Sequence, residues 1–253
     1  MSLATMKAVI SGGASGLGFA VAHYLVQRGA KVCLLDINAE QGAQAVAKLG
    51  AHASFVACDM ADAGHVDHGV DQAAVNMGGV TIGISCAGIL GNGRVLGKKG
   101  PMEASFFQRV ININLVGAFL FTKACARHMA GNQVEAGQDR GVIIHTASIA
   151  AFEGQLGQAA YSASKAGVVG MLLPLAREFA SLHIRVMAIA PGMFDTQMLG
   201  NVSDDIRTQL AAAVPYPARF GHPEEFASLC GHIIDNQMFN GTVLRLDGAA
   251  RLQ

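Results

Sequence analysis

The chain has 253 residues, 51% of them apolar and 14% charged, a composition suited to a sheet buried on both faces. Eighteen basic and eighteen acidic residues cancel, which excludes the long-range field that draws in nucleic acid or an anionic membrane surface. Five cysteines without a CxxC pair, and histidines away from ligand spacing around them, argue against a metal centre or a disulfide framework and for reduced thiols in a cytoplasmic compartment.

In chain order, the first predicted strand, 8–10, runs into Ser11-Gly12-Gly13-Ala14-Ser15-Gly16-Leu17-Gly18 and a helix over 16–28. Glycines at 12, 16 and 18 permit a tight turn, let the backbone approach a pyrophosphate and let the helix pack on the sheet, with free N–H groups at its start for an anion. Alone, such a turn is also an ordinary strand-to-helix connection. The second strand, 31–35, closes on Asp36, about eighteen positions beyond Gly18. A carboxylate there can accept both ribose hydroxyls of an adenosine and repel a 2′-phosphate, and no Arg or Lys stands at 14, 15 or 37. This favours NAD over NADP; the alternative is that Asp36 caps the next helix, 39–49. After a third strand, 54–57, Asp59 in Cys58-Asp59-Met60 can meet an adenine amino group or cap a turn.

A helix over 63–77 and a strand over 81–84 follow, then a Gly- and Lys-rich surface loop, 91–101. Asn114 lies inside the apolar part of a helix predicted over 103–129, where an amide either makes an interhelical hydrogen bond or holds a water that links Lys165 to solvent. A polar loop, 131–140, precedes the strand 141–145, and Thr146-Ala147-Ser148 ends it, placing a hydroxyl at the carboxyl edge of the sheet. In the helix over 159–181, Tyr161 and Lys165 are four residues apart and so share a face. A free phenol titrates near ~10, and a neighbouring ammonium favours the phenolate, so the pair can serve as an acid/base. The same spacing occurs by chance on many solvated helices. A strand over 184–190 leads through Pro191 into 192–220, read as a substrate lid, whose Met-rich start, 193–199, is either an acyl wall or lid packing. A helix over 223–235 and a strand over 242–246 complete the chain. No apolar run approaches the ~20 residues of a bilayer span, since Gly167, Gly170 and Pro174 interrupt the longest one.

Strand alternating with helix predicts an α/β architecture: a single doubly wound Rossmann-type domain over 1–253, with a parallel sheet of about seven strands and helices on both faces. Ser11-Gly12, Gly16 and Gly18, Asp36, Asp59, Ala87-Gly88, Asn114, Ser148, Tyr161 with Lys165, and Pro191-Gly192, in this order along the whole chain, resemble the short-chain dehydrogenase/reductase family. The stretches around Ser148 and Tyr161, together with Leu246-Asp247-Gly248-Ala249, are similar within that family to its type-2 3-hydroxyacyl-CoA dehydrogenase subgroup.

The resemblance implies that Tyr161 exchanges the proton, Lys165 also holds the nicotinamide ribose, Ser148 orients the substrate and Asn114 completes a proton relay. It further implies that Ser15, Leu17, Asp36, Asp59, Met60, Cys86, Phe194 and Thr196 line an NAD site with the glycine turn, Ala87-Gly88 and Pro191. The implied substrate is a 3-hydroxyacyl-CoA, and the implied assembly a homotetramer. Rival readings are a 3-oxoacyl thioester reductase, a hydroxysteroid or alcohol dehydrogenase, and a cofactor-bound scaffold without catalysis. Two departures stand out: the family's Thr at the head of the glycine motif is Ser11, and its Asn-Asn-Ala-Gly reads Ser85-Cys86-Ala87-Gly88, so the amide contacts that steady the sheet are absent or replaced.

Overall fold

In the computed structural model, residues 6–98, 100–196 and 204–252 are described. Strands β1 (Lys7–Ser11), β2 (Lys31–Asp36) and β3 (Ala53–Ala57) alternate with helices α1 (Gly16–Val26), α2 (Ala39–Leu49) and α3 (Ala63–Met77), and β4 (Ile82–Ser85) follows. A two-residue ribbon, β5 (Leu96–Gly97) with β6 (Gly100–Pro101), lies inside the predicted 91–101 loop. Next come α4 (Ala104–Ile111), a π-helical turn over Asn112–Val116, α5 (Gly117–Met129), β7 (Gly141–Thr146), α6 (Ala159–Phe179), β8 (Ile184–Pro191), α7 (Asp204–Ala212), α8 (Pro223–Asp235) and β9 (Val243–Leu246).

Seven strands form one parallel sheet in the order β3-β2-β1-β4-β7-β8-β9. Apolar β-branched runs with no polar alternation, such as Val142-Ile143-Ile144 in β7, pair this way because both faces of the sheet are covered. On one face Ile143, Val186 and Val9 pack with Phe121 of α5, Val70 of α3 and Leu172 of α6. On the other, Ile10, Leu34 and Ile144 pack with Val21 of α1, Ala45 of α2 and Phe226 of α8. Each fully buried side chain of this size contributes about 1.5–3 kcal/mol of hydrophobic free energy.

The strand order reverses between β1 and β4, and the crevice at their carboxyl ends is where an open α/β sheet takes ligands. β8 is anchored by Arg185, itself 5% exposed, which donates to the carbonyls of Ile233 and Ile234 at the end of α8, to that of Phe239 in the loop beyond it, and to Asp139 Oδ2 at 2.7 Å. These bonds satisfy carbonyls that a helix end leaves open and fix the strand that delivers Pro191 and Gly192 to the crevice.

The helix predicted over 103–129 is interrupted, though not broken, by the π-turn; one inserted residue shifts the helical phase there. The helix predicted to end at 28 stops at Val26, where Gln27 closes it and Gly29 takes φ +86°. That predicted over 159–181 ends at Phe179 and tightens into a 3₁₀ turn, Ala180–Leu182. Of the predicted lid, 197–203 lie outside the described residues, and with them Gln197, Met198 and Leu199 of the proposed acyl wall.

Candidate active site

A cavity of about 940 Å³ opens at the carboxyl edge of the sheet. It lies at the upper end of the ~300–1,000 Å³ typical of ligand pockets. The β1–α1 turn forms one end. Gly12 has φ +64°, and a Cβ there would stand 2.7 Å from Ala87 N, so only glycine lets this turn lie against the end of β4. A Cβ on Gly18 would collide with the Gly12 carbonyl oxygen. Ser15 caps α1 without spending its side chain, which leaves the hydroxyl and the helix N-terminus facing the cavity beside Gly16 and Leu17.

Asp36, at the end of β2, accepts from Ala14 N at 3.2 Å through Oδ2 and from Asn38 N at 3.1 Å through Oδ1. A carboxylate has about four lone-pair sites, so acceptor capacity remains toward the cavity. The predicted capping of α2 belongs to Asn38, whose Oδ1 accepts from Gln41 N. Asp59 Oδ1 accepts from Ala61 N at 2.9 Å, and the residue lines the cavity with Met60 and Cys58.

At the other departure from the family pattern, the lost amides are replaced. Ala87 N donates to Ser11 Oγ at 3.4 Å, Cys86 N donates to Ser11 O at 3.0 Å, and Thr146 Oγ1 donates to Cys86 Sγ at 3.2 Å. The first two bonds tie β1 to the end of β4, and the third ties β4 to β7. Burial pushes the Cys86 thiol up to about 11, opposed by Thr146 and by the Lys165 charge.

Tyr161, Lys165 and Ser148 meet on the cavity wall beneath these turns. Ser148 caps the 3₁₀ turn Ile149–Ala151, accepting from Ala150 N at 3.1 Å, which holds its hydroxyl in place. Burial raises the Tyr161 phenol, and its hydrogen bond with the Ser148 side chain pulls it back. Lys165 Nζ lies 5.9 Å from the Tyr161 ring centroid and donates to Thr146 O at 2.6 Å. The ammonium is thus pinned to the end of β7, and the lowering of the phenol expected from a neighbouring cation is outweighed by burial, with Ser148 the group that opposes it. Burial lowers the Lys165 pKa to about 8, and Cys86 opposes that shift.

Asn114 stands behind this wall and does not line the cavity. It is 1% exposed; Oδ1 accepts from Ile89 N at 2.8 Å, and Nδ2 donates to Ile89 O at 2.9 Å and to Ser164 Oγ at 3.1 Å. Of the two readings open in the sequence, the side chain makes the interhelical bond, to Ser164 of α6, and both Nδ2 hydrogens are used while Oδ1 keeps one acceptor site. A Cβ on Gly88 would lie 3.1 Å from Asn114 Oδ1 and 3.6 Å from Lys165 Nζ, which places Gly88 as the thin partition between them.

Pro191, Phe194 and Thr196 close the cavity from the β8 side, with Phe194 edge-on to Phe226 at 6.4 Å. The glycine turn, Asp36, Asp59, Met60, Cys86, Ala87, Gly88 and the three catalytic candidates therefore share one cavity. Residues that sequence reasoning missed line its far end: Leu90 and Asn92, Gln155 and Gln158, Leu210 and Ala213, and Ala250, Arg251 and Leu252. Gln155 and Gln158 fall in the stretches around Ser148 and Tyr161 that carry the resemblance, Leu210 and Ala213 in the predicted lid, and Leu246-Asp247-Gly248-Ala249 shortly before the last three, but none of the nine was assigned a role from the sequence. Among the described residues, no group of three or more His, Cys, Asp or Glu side chains is placed to hold a metal ion.

The family profile for short chain dehydrogenases matches residues 6–207. A 3-hydroxyacyl-CoA dehydrogenase type-2 from Bos taurus is 46% identical over all of this chain and 97% of its own length. One of the same name from Drosophila melanogaster is 42% identical over 96% of each chain. Among solved structures, a 3-hydroxyacyl-CoA dehydrogenase type-2 from Mycobacterium avium superposes with a TM-score of 0.92 at 34% identity, covering 98% of this chain and 96% of that one.

Proposed function

The chain belongs to the short-chain dehydrogenase family and is an oxidoreductase, and from that premise we propose that it interconverts a 3-hydroxyacyl-CoA and a 3-oxoacyl-CoA with NAD. The observation that carries the reading is the convergence of Tyr161, Ser148 and Lys165 on one wall of a cavity whose other end is the glycine turn and Asp36.

The residues present fit a dinucleotide. The turn carries no side chain at Gly12 or Gly18, so backbone N–H groups and the start of α1 are free to take a pyrophosphate. Asp36 offers a carboxylate to ribose hydroxyls and repels a 2′-phosphate, which supports NAD over NADP. When bound, the nicotinamide supplies the two-electron acceptor or donor. In the oxidising direction Tyr161 takes the proton of the substrate hydroxyl at its phenolate oxygen while Ser148 holds the same substrate oxygen. Lys165, fixed by Thr146 O, stabilises the phenolate that must precede this step.

The apolar far end, with Leu90, Met193, Leu210 and Leu252, supports a short acyl chain, and the type-2 3-hydroxyacyl-CoA dehydrogenase relatives support its thioester. The reading includes a reducing, cytoplasmic setting, supported by five free thiols of which four are buried. It also includes a homotetramer, supported by the exposed apolar side chains Phe107, Val116 and Phe119 along α4, the π-turn and α5.

The test compares reduction of acetoacetyl-CoA, a steroid ketone and a simple ketone, each with NADH and with NADPH. The expected result is fastest turnover of acetoacetyl-CoA with NADH. Tyr161→Phe should lower kcat/KM by about 10²–10⁴-fold while NADH binding persists. Preference for NADPH overturns the cofactor reading, and preference for the steroid or the simple ketone moves the assignment to the hydroxysteroid or alcohol dehydrogenase rival. Tight NADH binding without turnover of any substrate leaves the scaffold reading.

A further inference from the structure

The segment after β9 has no helix or strand, yet Ala250, Arg251 and Leu252 form part of the cavity wall. Its backbone bonds are few: Ala250 N donates to Asp247 O, Ala249 N to Asp247 Oδ1, and Tyr216 N to Gly248 O. What fixes it in addition is a cluster of two cations and two anions. Arg245, on β9, forks onto both carboxylate oxygens of Glu153, reaches Asp247 Oδ2 at 2.7 Å through Nε and donates to Ala250 O at 3.2 Å. Arg251 donates to Asp247 Oδ2 at 3.2 Å and to Ala250 O at 2.7 Å, and its Nε stands 3.7 Å from Glu153 Oε1.

Glu153 lies five residues past Ser148 in the loop before α6, so the cluster ties the loop of the substrate-orienting hydroxyl to the segment after β9. Between those two ties sits a small apolar cluster. Ile149, Val214 and Ala250 are buried together, and Met193 and Leu252 pack against them. Ile149, Met193, Ala250 and Leu252 line the cavity, whereas Glu153, Arg245 and Asp247 do not. Of the ionic groups only Arg251 is itself part of the lining, and the other three act on the wall through the residues they hold.

We propose that Glu153, Arg245, Asp247 and Arg251 form a clamp that sets the length of acyl chain the cavity admits, by holding Leu252 and Ala250 against Ile149 and Met193. The inference rests on the acyl-CoA reading of the same site. Exposed ion pairs contribute little to stability, but the Asp247 side chain is 8% exposed and those of Glu153 and Arg245 are 25% and 27% exposed, and the Arg245 fork is two-pronged. Removing the Glu153 charge leaves two guanidinium groups facing one carboxylate, which favours release of the segment. The sheet itself is untouched, since none of the four side chains contributes to its ladder. Glu153 and Arg245 are therefore positioning residues, and loss of the clamp should widen the wall without disabling proton transfer.

The experiment compares the unaltered protein with Glu153→Gln, both with saturating NADH, on acetoacetyl-CoA, a six-carbon and a ten-carbon 3-oxoacyl-CoA. The unaltered protein should favour the short thioester. In Glu153→Gln the short-to-long ratio of kcat/KM should fall by about tenfold or more, through a raised KM for the short chain at near-constant kcat and NADH affinity. Backbone hydrogen exchange over 247–252, read without substrate, should accelerate by about tenfold in the same variant. An unchanged length profile overturns the proposal whether or not exchange accelerates, as does a joint fall of kcat and NADH binding, which marks a general structural role. If the unaltered protein reduces no acyl-CoA, the function reading has failed. The clamp is then judged by the same ratio between a small and a large ketone that the protein does reduce, together with the exchange rates.

Discussion

Beside the catalytic wall lies an imidazole that the proposed chemistry does not use. His145 is fully buried on β7, immediately before the Thr146 whose carbonyl holds Lys165. Thr122 Oγ1 donates to Ala118 O at 2.8 Å, so it accepts from His145 Nε2 at 3.0 Å and fixes the tautomer with the proton on Nε2. Nδ1 is then a buried acceptor with no partner among the described residues. Burial, and secondarily the Lys165 charge, lowers the His145 pKa from 6.5 to about 4. The native state therefore takes this proton only near pH 4, whereas the unfolded chain takes it near 6.5. In that window the unfolded state binds more protons, so stability falls as pH falls, by up to about 1.4 kcal/mol per pH unit from this group. His145→Asn should show a smaller loss of urea stability between pH 7 and pH 4.5 than the unaltered protein. An equal loss in both would show that other groups carry the acid sensitivity.

At the scale of elements, the glycine turn and β4 are one device. The positive φ of Gly12 and its approach to Ala87 pack the β1–α1 turn directly against the Cys86-Ala87-Gly88 segment. Gly12→Ala adds a Cβ where backbone atoms stand at 2.7 Å and where φ is strained for any side chain, and this should cost more than about 1 kcal/mol of stability. Because the displaced atoms border the cavity, NADH affinity should fall as well, measured by fluorescence titration at a temperature where the variant is folded. Full NADH affinity in a folded Gly12→Ala protein would separate the turn from the cofactor site.

This device was legible in the sequence because it is local: a glycine spacing between a strand and a helix implies its own geometry. The Tyr161–Lys165 pair was legible for the same reason, through helical periodicity. The partners that define the chemistry were not. Lys165 is held by a main-chain carbonyl nineteen residues away, and main-chain acceptors leave no mark in residue type. Asn114 was marked as a polar side chain in an apolar helix, but its bonds to Ile89 and Ser164 depend on a π-turn, a backbone choice that the residues around it do not announce. The wall at Ala250 and Leu252 is assembled from three chain regions that only the sheet order brings together.

For the molecule as a whole, the unexplained surface is the outer face of α4, the π-turn and α5. The joined stretch Ala104–Met129 is 26 residues with a mean hydropathy of 1.3 in its most apolar window, of which 28% is buried, so by length and composition alone it passes the test for a bilayer span. Its inner face argues for a helix of the domain's own layer: Phe121, Cys125 and Met129 are fully buried there, and Lys123 and Arg127 pair with Asp67 and Asp71 of α3. Val116 and Phe119 stand about one turn apart on the opposite side, 39% and 47% exposed, and Phe107 is exposed separately on α4. Exposed apolar side chains set among polar ones on a packed helix suit a second copy of the same surface across a two-fold axis. Light scattering on the eluting protein should give about four times the 26.2 kDa chain mass, and Phe119→Glu should reduce it. A charge on this face weakens an isologous contact twice, once from each copy, so the drop should be visible at micromolar protein. If the unaltered chain elutes at its own mass with full activity, the face is not an interface and the catalytic site is complete within one chain.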